Sequence, residues 1–278
     1  MFDKINGEME LVFGNENWLL IFSRNLNKNM IIHIYKSLEK FEGNTLNLII
    51  YSKGGDVNTA RMIAKIIHDK FENINVYIPY MCTSAGTILS LCAHKLYCSP
   101  ISIFSPIDPH LNGIAGEAEF SISASDIKRV SSLLKDWYCI TEQENLIDVL
   151  SQDISLASMS SLYTSYEEVR FIAKELISLG GGVDIDKVDV IIDKLITNCF
   201  SHEYCLTSEE MASYGIKVNK NFDGMEVLIN VVLDYINYSE EKFHEVIYES
   251  VISTRFSTKF QFINVDSNTS SWGNIANV

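Results

Sequence analysis

Three short stretches between residues 46 and 110 put reactive residue types where the chain must turn. They are Lys53-Gly54-Gly55-Asp56, Thr83-Ser84-Ala85-Gly86-Thr87 and Ser105-Pro106-Ile107-Asp108-Pro109-His110. Ser84 follows an apolar, strand-like run and precedes a helix-like one, which exposes its hydroxyl on a tight turn at the positive end of a helix dipole. The next backbone N–H, from Ala85, is a natural donor to a developing oxyanion, and small Ala85 and Gly86 let a substrate approach. Gly54 and Gly55 free N–H groups to turn toward a ligand with no Cβ in the way. Asp108 and His110 supply groups able to handle a proton. The chemistry is nucleophilic attack by a serine on a carbonyl. Each piece has a plainer use: Ser84 as a helix cap, the glycines as a strand-to-helix turn.

The elements around these turns alternate. Leu46–Tyr51 reads as a buried strand, and Ala60, Ile63, Ile67 and Phe71 mark one face of a helix. Val76–Ile78 is the next strand, Ile88–His94 an apolar helix, and Lys95–Ser99 and Ile101–Phe104 are short strands. Strand–helix–strand with short links predicts a parallel sheet with right-handed crossovers, whose sites lie beyond the strand ends. Upstream, residues 8–22 predict a hairpin turning at Gly14-Asn15, and residues 29–41 a helix ended by Gly43-Asn44. Downstream, residues 122–179 predict helices, with Ile127, Val130, Leu133, Leu134 and Trp137 on one face and Val169, Ile172, Ala173 and Leu176 on another. Gly180-Gly181-Gly182 reads as a hinge, Val183–Leu195 as amphipathic, and Ser208–Tyr214 as a helix stopped by Gly215. Residues 224–255 carry two further helical patterns, and a Ser- and Asn-rich tail from Asp266 is expected to fray. The division expected is a domain over 1–220 and a helical C-terminal extension over 221–278.

The 278 residues carry a formal charge of −14. That balance excludes nucleic acid as a partner, since phosphate contacts need Lys and Arg, and it opposes docking on anionic membranes. No apolar run is long enough to span a bilayer, and the first residues lack the pattern of a secretory signal. The six cysteines are scattered without a Cys-x-x-Cys pair, so they read as reduced thiols in a cytoplasmic protein. Cys82 reads as a core thiol. A zinc site from Asp108, His110, His202 and Cys205 has poor spacing, so no metal and no cofactor is expected.

The order of the three turns says more than any one of them. With His202-Glu203-Tyr204-Cys205-Leu206 and the later Glu209-Glu210 and Gly215-Ile216, the chain resembles the serine dehydrogenase proteinase family of the Clp-protease/crotonase superfamily, related to signal peptide peptidase A. The resemblance covers roughly residues 30–220. It implies an α/β fold with a ClpP/crotonase-like parallel sheet, flanking helices and helical accessory segments. It also implies a serine-type endopeptidase that takes peptide or unfolded protein as substrate and assembles as a homo-oligomer; the helical residues 122–179 and 224–255 are the candidate interface. Lys53, His110 and Glu203 stand where the family pattern has proline, glutamine and aspartate.

Two proton relays follow from that resemblance. In the first, His202 is the base for Ser84 and Asp108 orients it; both residues sit in unsubstituted motif positions, which favours this pairing. In the second, the reserve pair, His110 is the base and Glu203 orients it. Gly54, Gly55 and Ala85 supply the oxyanion N–H groups in either. The substituted positions also leave open an inactive relative that binds a partner chain, and the fold a crotonase-type acyl-CoA enzyme.

Overall fold

The computed structural model describes residues 16–115, 118–139, 154–181, 183, 185–197, 201–242, 248–253 and 261–266. The strands are β1 (Trp18–Ser23), β2 (Thr45–Ser52), β3 (Asn73–Ile78), β4 (Met81–Cys82), β5 (Lys95–Cys98), β6 (Ile103–Phe104), β7 (His110–Ala115), β8 (Ala118–Ser123), β9 (Leu206–Thr207), β10 (Val218–Asn219), β11 (Tyr248–Ser253) and β12 (Gln261–Asp266). The helices are α1 (Asn29–Glu39), α2 (Val57–Lys70), α3 (Ala85–Ser90), α4 (Ala124–Tyr138), α5 (Leu156–Gly180), α6 (Val188–Thr197), α7 (Ser208–Tyr214) and α8 (Met225–Lys242).

The main sheet runs β10-β5-β3-β2-β1-β11-β12, parallel from β10 to β1 and antiparallel beyond. Its centre is parallel because α1 and α2 cross over between β1, β2 and β3. Those strands are almost continuously apolar because both faces are covered. On one face Leu19, Ile21, Leu48, Ile50 and Val76 pack into the large core that includes Ile63, Ile67, Ala173 and Leu176. On the other, Trp18, Leu20, Phe22, Tyr51 and Tyr77 meet Leu228, Val231 and Val232 of α8. A register slip of one residue would exchange these two sets, so alternating aromatic and aliphatic side chains fix it.

A side branch leaves the main path. β4 pairs in parallel with the end of β2 and with β6, and β6 pairs antiparallel with β9. A separate hairpin, β7–β8, follows directly.

Several expectations change. The first arm and turn of the predicted opening hairpin lie outside the described residues, and Trp18–Ser23 is instead a strand parallel to β2. Residues 110–115 and 118–123 pair as antiparallel strands, so the helical region begins at Ala124. There the capping box of Ser123 and Asp126 starts α4. On α4, Leu134 is buried but Trp137 is 75% exposed, so the apolar face is only partly covered by this chain. Gly180 and Gly181 are a helix end, while Gly182 lies outside the described residues: Gly181 caps α5 with φ 62°, and a Cβ on Gly180 would lie 2.6 Å from the Ala93 carbonyl oxygen. The second helical pattern in 224–255 is β11, which pairs with β1, so the 221–278 extension contributes strands to the main sheet. The tail beyond 266 lies outside the described residues.

Candidate active site

The side branch explains how distant residues meet. Parallel strands β2, β4 and β6 end at the same edge, and antiparallel β9 begins there. Gly54 follows β2, Ser84 follows β4, Asp108 follows β6, and His202 precedes β9. All four therefore arrive at one edge, and Ser84, Gly55, His110 and His202 line one pocket of about 770 Å³.

Ser84 stands at the N-cap position of α3, yet its side chain makes no capping hydrogen bond. Its φ of 53° is positive; among the described residues only one other non-glycine, Cys139, shares that feature. A β-carbon in such a conformation is strained, and strain of this kind persists where surrounding structure enforces it. Two contacts enforce it. The Ser84 N–H donates to Ser105 Oγ at 2.7 Å, and the Thr83 N–H donates to the Ser52 carbonyl at 2.9 Å. A serine whose hydroxyl does not cap its helix, raised on a strained strand-to-helix turn, has the form of a nucleophile elbow. The helix-cap reading does not hold.

The glycines divide their labour. Gly54 has φ 116°, and a Cβ there would lie 2.7 Å from the Ser84 Cβ. Its N–H donates to Ser52 Oγ at 3.1 Å and is not free for an oxyanion, a correction to the expected set. Gly55, with φ 126°, packs against the Leu26 backbone and lines the pocket. Gly55 and Ala85, the first residue of α3, are the remaining oxyanion candidates.

Asp108 is buried, and its Oδ1 lies 2.8 Å from His202 Nδ1. Burial opposes ionisation of the Asp108 carboxyl, but hydrogen bonds from His202 and Ser123 and the charge of His202 and His110 outweigh it, holding it below the usual carboxylate range. An ionised carboxylate only accepts, so His202 Nδ1–H is the donor. In the neutral ring that leaves Nε2 with a lone pair. The Ile107 N–H bond to the Leu195 carbonyl ties this segment to α6. The Tyr204 hydroxyl donating to Glu210 steadies the turn that carries His202.

The reserve pair is not assembled. Glu203 is exposed, and among the described residues no hydrogen bond or ion pair joins it to His110. The His110 ring instead lies edge-on to His202, with centroids 4.2 Å apart. Its Nδ1 is 2.9 Å from Ser121 Oγ, and its Nε2 is 3.9 Å from Asp108 Oδ2. Burial and His202 lower the His110 pKa, against Asp108 and Asp126, which raise it. Cys205 is exposed and stands apart from the three-residue cluster of Asp108, His110 and His202. Cys82 is buried, which raises its thiol pKa well above the ordinary value, so it is no nucleophile.

Sequence reasoning missed Ser105 and Ser123. Ser105 opens the motif that ends at His110 and Ser123 lies well past it, but only the fold shows that one orients the Ser84 amide and the other braces Asp108.

The pattern of ClpP-like SDH-type serine proteinases matches residues 34–235. The chain belongs to this family. Two uncharacterized proteins of Methanocaldococcus jannaschii are similar to it. One is 24% identical over 176 residues (63% of this chain, 52% of the relative), the other 25% identical over 177 residues (63% and 54%). The chain thus spans about half the length of the curated relatives it matches. Among solved structures, a serine-to-alanine mutant of the 1510-N membrane-bound stomatin-specific protease matches with a TM-score of 0.47 at 14% identity, covering 76% of this chain and 83% of that one. ClpP1 from Listeria monocytogenes matches with a TM-score of 0.41 at 16% identity, covering 80% and 97%. Among the described residues no helix is long and apolar enough to cross a membrane.

Proposed function

We propose that this member of the SDH-type family is an active serine endopeptidase with Ser84 as nucleophile, His202 as general base and Asp108 as the orienting carboxylate. The observation that carries the reading is the 2.8 Å Asp108–His202 hydrogen bond beside a pocket that strained Ser84 also lines. Ser84 Oγ attacks the scissile carbonyl carbon while its proton passes to His202 Nε2. The oxyanion accepts hydrogen bonds from the Gly55 and Ala85 N–H groups. Collapse breaks the C–N bond, the amine leaves with the proton from His202, and an ester on Ser84 remains. Water, deprotonated by the same histidine, then releases the acid. The substrate class is a peptide or an unfolded protein segment.

A fluorophosphonate probe tests this directly. Intact-mass analysis is expected to show one adduct on the wild type and none on Ser84→Ala. An adduct that survives the substitution, or no adduct on the wild type, overturns the assignment. We also propose self-association through α4 and α5, which leave Trp137, Tyr138, Tyr163 and Phe171 exposed. A monomer mass in light scattering would sink that part.

A further inference from the structure

The relay uses one histidine, yet Asp108 faces two. Its Oδ1 holds His202 Nδ1, and its Oδ2 faces His110 Nε2 at 3.9 Å. That His110 nitrogen is shielded from solvent and, among the described residues, has no hydrogen-bond partner. Such an orphan is uncommon and calls for an explanation. His110 Nδ1 lies 2.9 Å from Ser121 Oγ, and in the tautomer whose Nδ1–H donates there, Nε2 offers a lone pair on the Asp108 side. In that tautomer a cation between Nε2 and the carboxylate would be held by both.

We propose that Asp108, His110 and His202 form a Zn²⁺ site, and that Zn²⁺ bound there switches the peptidase off. Only the inhibitory half rests on the relay proposed above. One ligand atom from each residue lies within 4.8 Å of the other two. Two imidazoles and a carboxylate suit zinc, and ligand atoms on a tetrahedral ion sit roughly 3.3 Å apart given Zn–N bonds near 2.0–2.1 Å. The widest of these spacings therefore closes by up to about 1.5 Å to reach that value. Both rings are partly exposed and can make such shifts. Ser121 would play the supporting role, fixing the His110 tautomer from its far nitrogen. The wall favours cations too: Asp56, Asp126, Glu168 and Glu203 line the pocket, and none of the described lining residues is Lys or Arg.

The proton count explains the inhibition. Neutral His202 has one ring proton. In the relay it sits on Nδ1 and leaves Nε2 free to accept from Ser84. Zn²⁺ on Nδ1 forces that proton onto Nε2, and the ring can no longer act as a base. Metal and catalysis exclude each other.

The test is Zn²⁺ titration of chelator-treated full chain against a chromogenic chelator. Wild type is expected to hold one Zn²⁺ per chain at this site. His110→Gln and His202→Gln should each weaken it at least tenfold, while Ser84→Ala and Cys205→Ser leave it unchanged. Co²⁺ in its place should give a spectrum without a thiolate charge-transfer band. Fluorophosphonate labelling of wild type should slow with Zn²⁺ and recover with EDTA. Zn²⁺ affinity indifferent to both histidine substitutions, or a thiolate band, overturns the site. Tight binding that leaves labelling unslowed overturns the inhibitory half. Tight, histidine-dependent binding with no labelling under any condition upholds the metal site and refutes the peptidase reading instead.

Discussion

Replacing Gly54 by alanine tests how the nucleophile is held. The substitution does two things at once. At φ 116° it forces a β-carbon into a backbone conformation that L residues avoid, a cost of order 1–3 kcal/mol. It also places that β-carbon 2.7 Å from the Ser84 Cβ and 3.2 Å from Ser84 Oγ, about 0.7 Å short of ordinary contact at 3.4 Å. Ser84 cannot retreat freely, because its amide is tied to Ser105 and α3 behind it is buried. The serine must shift by several tenths of an ångström, and misplacement of about 1 Å costs on the order of 100-fold in rate. The expectation is therefore a 10- to 100-fold slower fluorophosphonate labelling rate, by order of magnitude, together with a lower Tm. Gly43→Ala separates the two effects. Its φ of 79° carries similar backbone strain, but a Cβ there meets nothing within 4 Å. It should lower Tm by a few degrees for about 1–2 kcal/mol and leave the labelling rate alone. If Gly54→Ala labels as fast as Gly43→Ala, the packing of Gly54 on the nucleophile does not control reactivity and the reasoning fails.

Asp108→Asn keeps the shape of the side chain and removes the charge. With an amide facing Nδ1, His202 is pushed to the wrong tautomer, and kcat for peptide turnover should fall by about three to four orders of magnitude. A loss under tenfold would show that Asp108 does not orient the base. The Glu175 carboxylate, which joins α5 to α2, gives a pH prediction. Hydrogen bonds from Arg61 at 2.5 Å and Lys65 at 3.1 Å hold its pKa at about 2, against an ordinary value of 4.5. A depressed folded-state pKa stabilises above pH 4.5 and ceases to do so as pH falls from there through about 2. All three side chains are partly solvated, so screening limits the effect to about 1 kcal/mol. The Tm gap between wild type and Glu175→Gln should be about 2–4 °C at pH 6 and vanish near pH 2. A gap that is the same at both pH values would exclude the ion pair as its source.

The parts that sequence made legible are those governed by local rules. Leu46–Tyr51 could only be a covered parallel strand, and it lies within β2. Gly215 ends α7 in the left-handed conformation, as a helix-stop glycine should. The turns carrying Ser84 and Gly54 were readable because tight strand-to-helix turns demand small residues. What was not legible depends on partners far along the chain. Tyr248–Ser253 fits a helical period as well as a strand period, and its state is decided by pairing with β1 more than 200 residues earlier. The helical pattern of α4 runs back across residues 122–123, which pairing with Leu111 and His110 places in β8. Ser105 and Ser123 carry no signature at all: a serine's role as acceptor or brace is set by whichever backbone or carboxylate arrives beside it.

The same distinction explains why the candidate site can be accurate although its supporting strands are tiny. β4, β6 and β9 have two residues each, too few to hold a ladder by their own hydrogen bonds. Their anchorage is side-chain burial: Cys82, Phe104 and Leu206 are all at 0% exposure in the one core that also holds α2, α3 and α5. That core fixes three strand ends to one another, and Ser84, Asp108 and His202 lie two to four residues beyond them. Over so short a reach, two prolines flanking Asp108 and a hydrogen bond at each residue leave little slack. The proposed relay is therefore a long-range product of packing. Ser84 and Asp108 come from neighbouring parallel strands, but the histidine joins them only when Leu206 enters the core beside Phe104. The 201–207 segment thus completes the arrangement that the motifs at Gly54, Ser84 and Asp108 begin.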